Sequence, residues 1–488
     1  MSASPPVARR GRFGARLASD SVVYGLGGMA NQAVAILLVP IYARQLGAEG
    51  VGIAGVLNST ISLSLMFVGL ALPQAFFRWY LREATTERDQ ARVLGTILAV
   101  RLAASLGGFA LVLAGSIPIA AALYGGEHLL VFALAAPIVL FDSFNAIPLS
   151  FLRAERKPRD YVAISISRAV LGTVLILSFV VAARMGVVGV ALGGAIAAAI
   201  SALIGTWAMA RAGVLRLSFD RPLARAMLSF ALPLVPAAMA GWVLNLSDRP
   251  LLQAMTGDRG LVGVYTMGYT AGLVINALAI QPFTLAWGAA YWEVSRGDDA
   301  PRVFARALTW FLAIAAGVAL FLSGMGTDAL RLLVGPQFEE SRYIIPFSAF
   351  SYVLYGAYTV GASGLSVVGR SGMVATTMAI AAVATLVLNL ALIPIIGMYG
   401  AAISTVSGYL LLAIVAGAVS QRYYPVDWEL GRAISILLIA VALSAAALLG
   451  PDHVLWRIGC VVAYVPILLG LGIVKISQGR LLLSALRR

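Results

Sequence analysis

Charge is what this chain has least of. Only 11% of its 488 residues are Asp, Glu, Lys or Arg, against about 25% in soluble domains, which excludes an ordinary water-soluble globule. A single cysteine, Cys460, excludes a disulfide within the chain; set in an apolar run, it packs as a small hydrophobe. The two histidines, His128 and His453, stand alone in short connections. They offer neither a metal-ligand spacing nor a Ser-His-Asp arrangement. No P-loop occurs, and Gly25-x-Gly27-x-x-Ala30 imitates a dinucleotide fingerprint without the preceding strand that such a site needs. Asp298-Asp299 is a solvated acidic turn. No catalytic residue, no metal site and no cofactor is therefore expected.

What the chain has instead is apolar length. Hydrophobic residues make up 60% of it, in recurring runs of about 20, the span that crosses ~30 Å of hydrocarbon as a helix. Backbone groups in lipid must be paired internally, by helices or a closed barrel, and these runs are too long for barrel strands of about 10 residues. The expected fold is an all-α polytopic membrane protein with fourteen transmembrane helices, near 21–43, 51–77, 93–116, 128–152, 161–183, 186–210, 226–252, 260–290, 303–325, 342–368, 372–395, 398–420, 432–450 and 453–474. Connections are short throughout, which leaves no room for a soluble domain between spans.

The net charge of +14 would point to nucleic acid in a soluble protein. Here the cations sit in short loops and report topology, so no nucleic-acid partner is expected. The even-numbered turns and both tails hold 26 of the 35 Lys and Arg, and the opposite side holds seven. The positive-inside rule then places both termini in the cytoplasm. The basic segment 1–20, with Arg9, Arg10, Arg12 and Arg16, reads as an anchor on anionic headgroups. It lacks the short apolar core and cleavage site of a secretory signal, and Arg9-Arg10 only weakly resembles a twin-arginine signal.

The chain repeats itself. Pro40 and Pro250 are 210 apart, as are Gly47 and Gly257. Gly52 matches Gly263 at 211, Pro73 matches Pro282 at 209, Trp79 matches Trp287 at 208, and GVVGVAL from Gly186 echoes GMYGAAI from Gly397 at 211. The repeat covers spans 1–6 and 7–12. Six is even, so both halves enter from the same side, a parallel repeat related by an axis along the membrane normal. The expected organisation is an N-lobe over 21–210, a cytoplasmic linker at 211–225, a C-lobe over 226–421, two extra spans within 432–474, and a basic tail at 475–488. Substrate sites of such transporters lie between the halves.

Ionisable groups within membrane spans usually face a bundle interior or an aqueous cavity. Arg101 in span 3, Asp142 in span 4 and Arg168 in span 5 all lie about 12–15 Å deep at 1.5 Å per residue. One reading is an internal ion pair joining these spans, with the leftover arginine snorkelling; the other is a cavity cation for an anionic substrate, or a coupling carboxylate at Asp142. Asp248 and Arg249 lie in the outer part of span 7. Adjacent helix residues point about 100° apart, so these two are not expected to pair with each other. Asn31, Asn58, Asn245, Asn276 and Gln281 are further polar groups in spans 1, 2, 7 and 8. Any one can simply join helices by hydrogen bonds; their concentration in repeat-related spans marks the cleft walls. Pro40, Pro73, Pro233, Pro236, Pro250 and Pro282 interrupt the same helices. Gly189 and Gly193 form a small-xxx-small pair suited to close packing.

These residues carry a family resemblance. The opening SVVYGLGGMANQAVAILLVPIYARQLGAEGVG resembles that of polysaccharide flippases of the Wzx type, in the multidrug/oligosaccharidyl-lipid/polysaccharide superfamily. The family's Pro–Tyr–Arg–Leu–Gly run is matched at Pro40, Tyr42, Arg44, Leu46 and Gly47. Its Asp-Arg followed by Val-Gly-x-Tyr is matched at Asp248, Arg249, Val262, Gly263 and Tyr265, and its Arg-x-Tyr at Arg78 and Tyr80. The resemblance implies two six-helix lobes that open alternately, and a cargo of oligosaccharide on an undecaprenyl diphosphate carrier. It implies membrane lipids, a polysaccharide polymerase and chain-length proteins as partners. The diphosphate calls for arginines. Arg249 and Arg78 are the expected headgroup contacts, with Arg44 and Arg101 behind them and the Asn and Gln set on the sugar. Rival readings are a multidrug or lipid II exporter of the same superfamily and, in another class, a membrane polymerase or ligase of lipid-linked sugars. The latter usually carries a large outer loop for its chemistry, which this chain does not have.

Overall fold

The computed structural model describes residues 40–213 and 218–474. Most of the first expected span, with Asn31, and both basic ends lie outside the described residues. Among the described residues all regular structure is helical. Ten helices are long and apolar enough to cross a membrane, and the bent pair Pro336–Tyr343 with Ile345–Val367 makes eleven. This is an all-α polytopic membrane protein, as expected, with ten or eleven such helices among the described residues, outside which most of the first of the fourteen expected spans lies. The rest of the difference has local causes. Gly372–Tyr423 runs through what the sequence divides into spans 11 and 12, interrupted at Ile396 and Gly397. Val454–Gly470, the last span, is only 17 residues long.

Helix starts follow local chemistry. Thr86 and Asp89 form a capping box ahead of Glu87–Tyr124. Asp220 and Asp258 accept the backbone N–H groups of Leu223 and Leu261 at 3.0 and 2.9 Å, satisfying donors that the first helical turn leaves open.

The described chain groups into two compact units, one of Thr60–Val235 and one of residues 40–59 with 236–474. In the first, Phe76, Leu94, Ile97, Leu98, Ile147, Phe151 and Met209 form a buried core. In the second, Leu430–Leu449 and Val454–Gly470 pack on Ala300–Leu333. Ion pairs clamp one end of this group: Arg331 reaches Asp452 at 2.9 Å and Arg457 reaches Asp328 at 2.7 Å. Hydrogen bonds from Arg331 hold the Asp452 carboxyl below the usual carboxylate range.

The sequence repeat is physical. Gly47 and Gly257 both sit at left-handed φ, 69° and 66°, and so do Gly186 and Gly397 at 58° and 57°. Glycine alone adopts this conformation freely, which explains why these positions match across the halves. Gly189 lies against the backbone of Phe179, and its match Gly400 against that of Leu392. Gly193 meets Ile176 in the same way, so the small-xxx-small pair does permit close packing. Gly52 and Gly263 meet each other. A Cβ on Gly52 would lie 2.1 Å from the Arg259 carbonyl oxygen, and one on Gly263 would lie 1.8 Å from that of Ala48. Ala48 and Arg259 are themselves 211 apart, so the contact is reciprocal, as a local two-fold axis demands.

Candidate functional site

Span 7 is broken where its charges lie. Val235–Leu246 ends, Ser247 intervenes, and Asp248–Thr256 begins with Pro250 in its first turn. Pro250 has no N–H to donate, and the break leaves backbone groups to be satisfied by side chains. Asp248 Oδ1 accepts the backbone N–H of Arg249 at 2.9 Å and its Nη1 at 2.8 Å. Arg249 Nη1 also donates to the Asn245 carbonyl at 2.8 Å. The adjacent charges thus do pair, against expectation: the long arginine side chain folds back toward the helix start, where its Nη1 reaches the Asp248 carboxylate and the Asn245 carbonyl together.

The pair is buried, with side-chain exposures of 6% for Arg249 and 2% for Asp248. Tyr265 donates its hydroxyl to Asp248 Oδ2. The Arg249 guanidinium lies 4.3 Å from the centre of the Tyr269 ring, a cation–π contact. Tyr352 packs edge-on against Tyr269, and Tyr409 against Tyr355. Sequence reading named Tyr265 only as a motif residue and missed the rest of this tyrosine set; its signal was Tyr265 and Tyr269 one helical turn apart. It also missed Gln253 and Asn389, both buried. Neither amide atom of Asn389 has a hydrogen-bond partner.

In the first unit the arginines behave differently from one another. Arg78 is half-exposed, its guanidinium 4.9 Å from the Trp79 ring and 4.8 Å from the Phe230 ring, with Glu83 at 3.5 Å. Arg101 is buried and donates Nη1 to the Val68 and Gly69 carbonyls at 3.1 and 2.9 Å. It does not snorkel. Asp142 and Arg168 form a two-pronged pair, 3.1 Å in both bonds, with each side chain 26% exposed. An arginine at mid-membrane costs about 2.5–3.5 kcal/mol when it lacks such partners. Asp142→Asn keeps an acceptor for Arg168. The expected outcome is a stability loss of about 1–3 kcal/mol, read by thermal unfolding; no measurable loss would mean that the pair does not hold the two helices together.

The remaining polar residues are scattered in environment. Asn245 donates Nδ2 to the Gly241 carbonyl at 3.0 Å. Asn276 opens the π-helical turn Asn276–Ile280. Asn58 and Gln281 are exposed, and Arg44, also exposed, donates to the Leu332 carbonyl.

Residues 17–287, more than half of the chain, match the family described as polysaccharide biosynthesis protein. The chain belongs to that family. A protein of the Lsg locus of Haemophilus influenzae is 22% identical over 361 residues, 73% of this chain and 86% of that one. Among solved structures, one described as lipid II flippase MurJ in an inward closed conformation superposes with a TM-score of 0.70 at 13% identity. It covers 92% of this chain and 97% of its own. An inward-facing multidrug resistance MATE family transporter of the MOP superfamily gives 0.60 at 18% identity, over 83% and 95%. The fold of this polysaccharide biosynthesis family member is therefore that of these transporters.

Family motif residues now acquire physical reasons. Gly47 takes a left-handed turn, Gly263 allows the reciprocal contact, and Tyr265 holds Asp248.

Proposed function

We propose that this protein is a flippase of a bacterial inner membrane. It carries undecaprenyl-diphosphate-linked oligosaccharide units from the inner to the outer leaflet by alternating access, for assembly of O-antigen, capsule or exopolysaccharide. The observation that carries this reading is the family match over residues 17–287. The protein acts as a transporter and leaves bond-making to its partners, a polymerase and chain-length proteins that receive the exported unit. Both termini face the cytoplasm.

The chemistry of the accessible cations supports an anionic headgroup. Arg78, held between two aromatic faces, presents a guanidinium edge already oriented for a phosphate, and Arg44 is the second exposed candidate. Arg249 and Arg101 are buried, the first bonded to the Asp248 carboxylate and the Asn245 carbonyl and the second to the Val68 and Gly69 carbonyls, so they would meet the headgroup only after rearrangement. Asn58, Asn245, Asn276 and Gln281, with Asn31, supply amide groups to the sugar.

Deletion of the gene, followed by analysis of the lipid-linked sugar pool, tests the reading. The undecaprenyl-linked unit should accumulate on the inner leaflet. Complementation with Arg78→Glu should restore less than a tenth of wild-type export, and Arg78→Lys an intermediate level. Unchanged glycan export with altered drug tolerance would establish a multidrug exporter in its place, and trapped lipid II would establish the peptidoglycan precursor as the cargo.

A further inference from the structure

Span 2 is interrupted at an unusual place. The helix of residues 40–69 stops at Gly69, and Leu72–Arg78 follows. Leu70 and Ala71, between them, both hold left-handed φ values of 47° and 48°, although neither is glycine. A helix that stops here leaves its last carbonyls without intrahelical donors. In the membrane no water replaces them. Arg101, from the neighbouring Glu87–Tyr124 helix, bonds two of these carbonyls, at Val68 and Gly69. It is 1% exposed, its Nε is buried without a partner, and no ion pair to it occurs among the described residues. The counter-charge of this buried cation is the negative end of a helix dipole.

The second half meets the same proline differently. Pro282, the match of Pro73, follows the π-helical turn Asn276–Ile280. That turn keeps its backbone bonds within the chain, with right-handed φ of −60° and −61° at Ile275 and Gln281 on either side. The stretch matching Arg101 is Thr309-Trp310-Phe311-Leu312, which carries no cation. There Phe311 packs on Phe283 with ring centres 4.4 Å apart. One half has a self-sufficient bend; the other has a break that depends on a side chain from another helix.

We propose that Arg101 is a releasable cap that holds span 2 broken, and that it thereby positions Arg78. With the cap in place, Leu72–Arg78 leaves the break in the direction that sets Arg78 between Trp79 and Phe230. When the cap leaves, the Val68 carbonyl regains a donor, the Leu72 N–H, only if Leu70 and Ala71 return to right-handed helix; the Gly69 carbonyl faces Pro73, which has no N–H, and must find its donor elsewhere. That change re-aims everything beyond residue 71. Span 2 is thus the switchable member of the repeat pair and span 8 the fixed one. Arg101 is a positioning residue, and its consequence for cargo rests on the function proposed above; the hinge itself does not.

Spin labels at Phe67→Cys and Leu81→Cys, both exposed positions, in a Cys460→Ala background, report the geometry across the break. Pulsed electron paramagnetic resonance on the full chain in nanodiscs, without cargo, reads the distance. The expected result is one narrow distribution for Arg101 and a shifted or broadened one for Arg101→Gln. Adding Leu70→Gly and Ala71→Gly should restore the narrow distribution, because glycine takes left-handed φ without a steric cost. If Arg101→Gln alone does not fold, Arg101→Lys and the glycine triple variant carry the comparison. An Arg101→Gln distribution identical to wild type overturns the proposal, and so does failure of the glycines to restore it. A shifted distribution with undiminished glycan export keeps the hinge and removes Arg78 from cargo handling.

Discussion

Asp248→Ala should destabilise the protein by about 3–5 kcal/mol, the range found when one partner of a buried ion pair is removed. The loss has three parts on the page. Arg249 keeps its burial but loses the carboxylate at 2.8 Å. The Arg249 backbone N–H loses its acceptor at 2.9 Å. The Tyr265 hydroxyl, fully buried, loses the oxygen it donates to. Asp248→Asn should cost less, since an amide oxygen can still accept from Arg249. The double variant Asp248→Ala/Arg249→Met should recover much of the loss, because a well-packed apolar pair is often no worse than a buried ionic one. Thermal unfolding of the purified protein, with the two single variants and the double in one cycle, measures this. Additive costs, or a single-variant loss below about 1 kcal/mol, would mean that the pair is not coupled.

Gly263→Ala and Gly52→Ala are expected to exceed the roughly 1–3 kcal/mol typical of overpacking. The reason is the identity of what the new methyl meets. It would stand 1.8 Å from the Ala48 oxygen in one case and 2.1 Å from the Arg259 oxygen in the other. These are main-chain atoms, which have no rotamer to retreat into. Gly55→Ala is the control: its nearest neighbour is the Thr266 hydroxyl at 2.7 Å, a side-chain atom that can turn away. Because Gly52 and Gly263 share one contact, their costs should not add; once the helices are parted by the first methyl, the second finds room. Yield of monodisperse protein and melting temperature report the order. Equal behaviour of Gly263→Ala and Gly55→Ala would contradict the reciprocal-contact argument.

Asp248 and Arg249 also show where reading a sequence stops. A rule about the directions of neighbouring helix residues kept them apart, because nothing in SDRP announces that the Arg249 side chain folds back onto the helix start. The proline was visible; that the Arg249 guanidinium would bond the Asn245 carbonyl was not. Arg101 teaches the same thing from a distance of more than thirty residues along the chain. Its depth was legible, and so was the cost of a charge there. Its partners, the carbonyls of Val68 and Gly69, carry no sequence signal at all, since every residue has a carbonyl.

Some features needed no coordinates. Apolar runs of membrane length dictate helices because lipid offers the backbone no hydrogen bonds. The spacing of about 210 residues points to two similar halves, and the glycines that match across it proved to be left-handed turns and close contacts, since a residue without a Cβ fits both best. The Asp142–Arg168 bond was one of two outcomes open from depth alone, and only the folded chain selected it over a pairing with Arg101. Which buried cation met a carboxylate, which met a carbonyl and which stayed half in the open depended on where helices end in space. Helix ends free backbone groups, and those groups compete with side chains for the same charges.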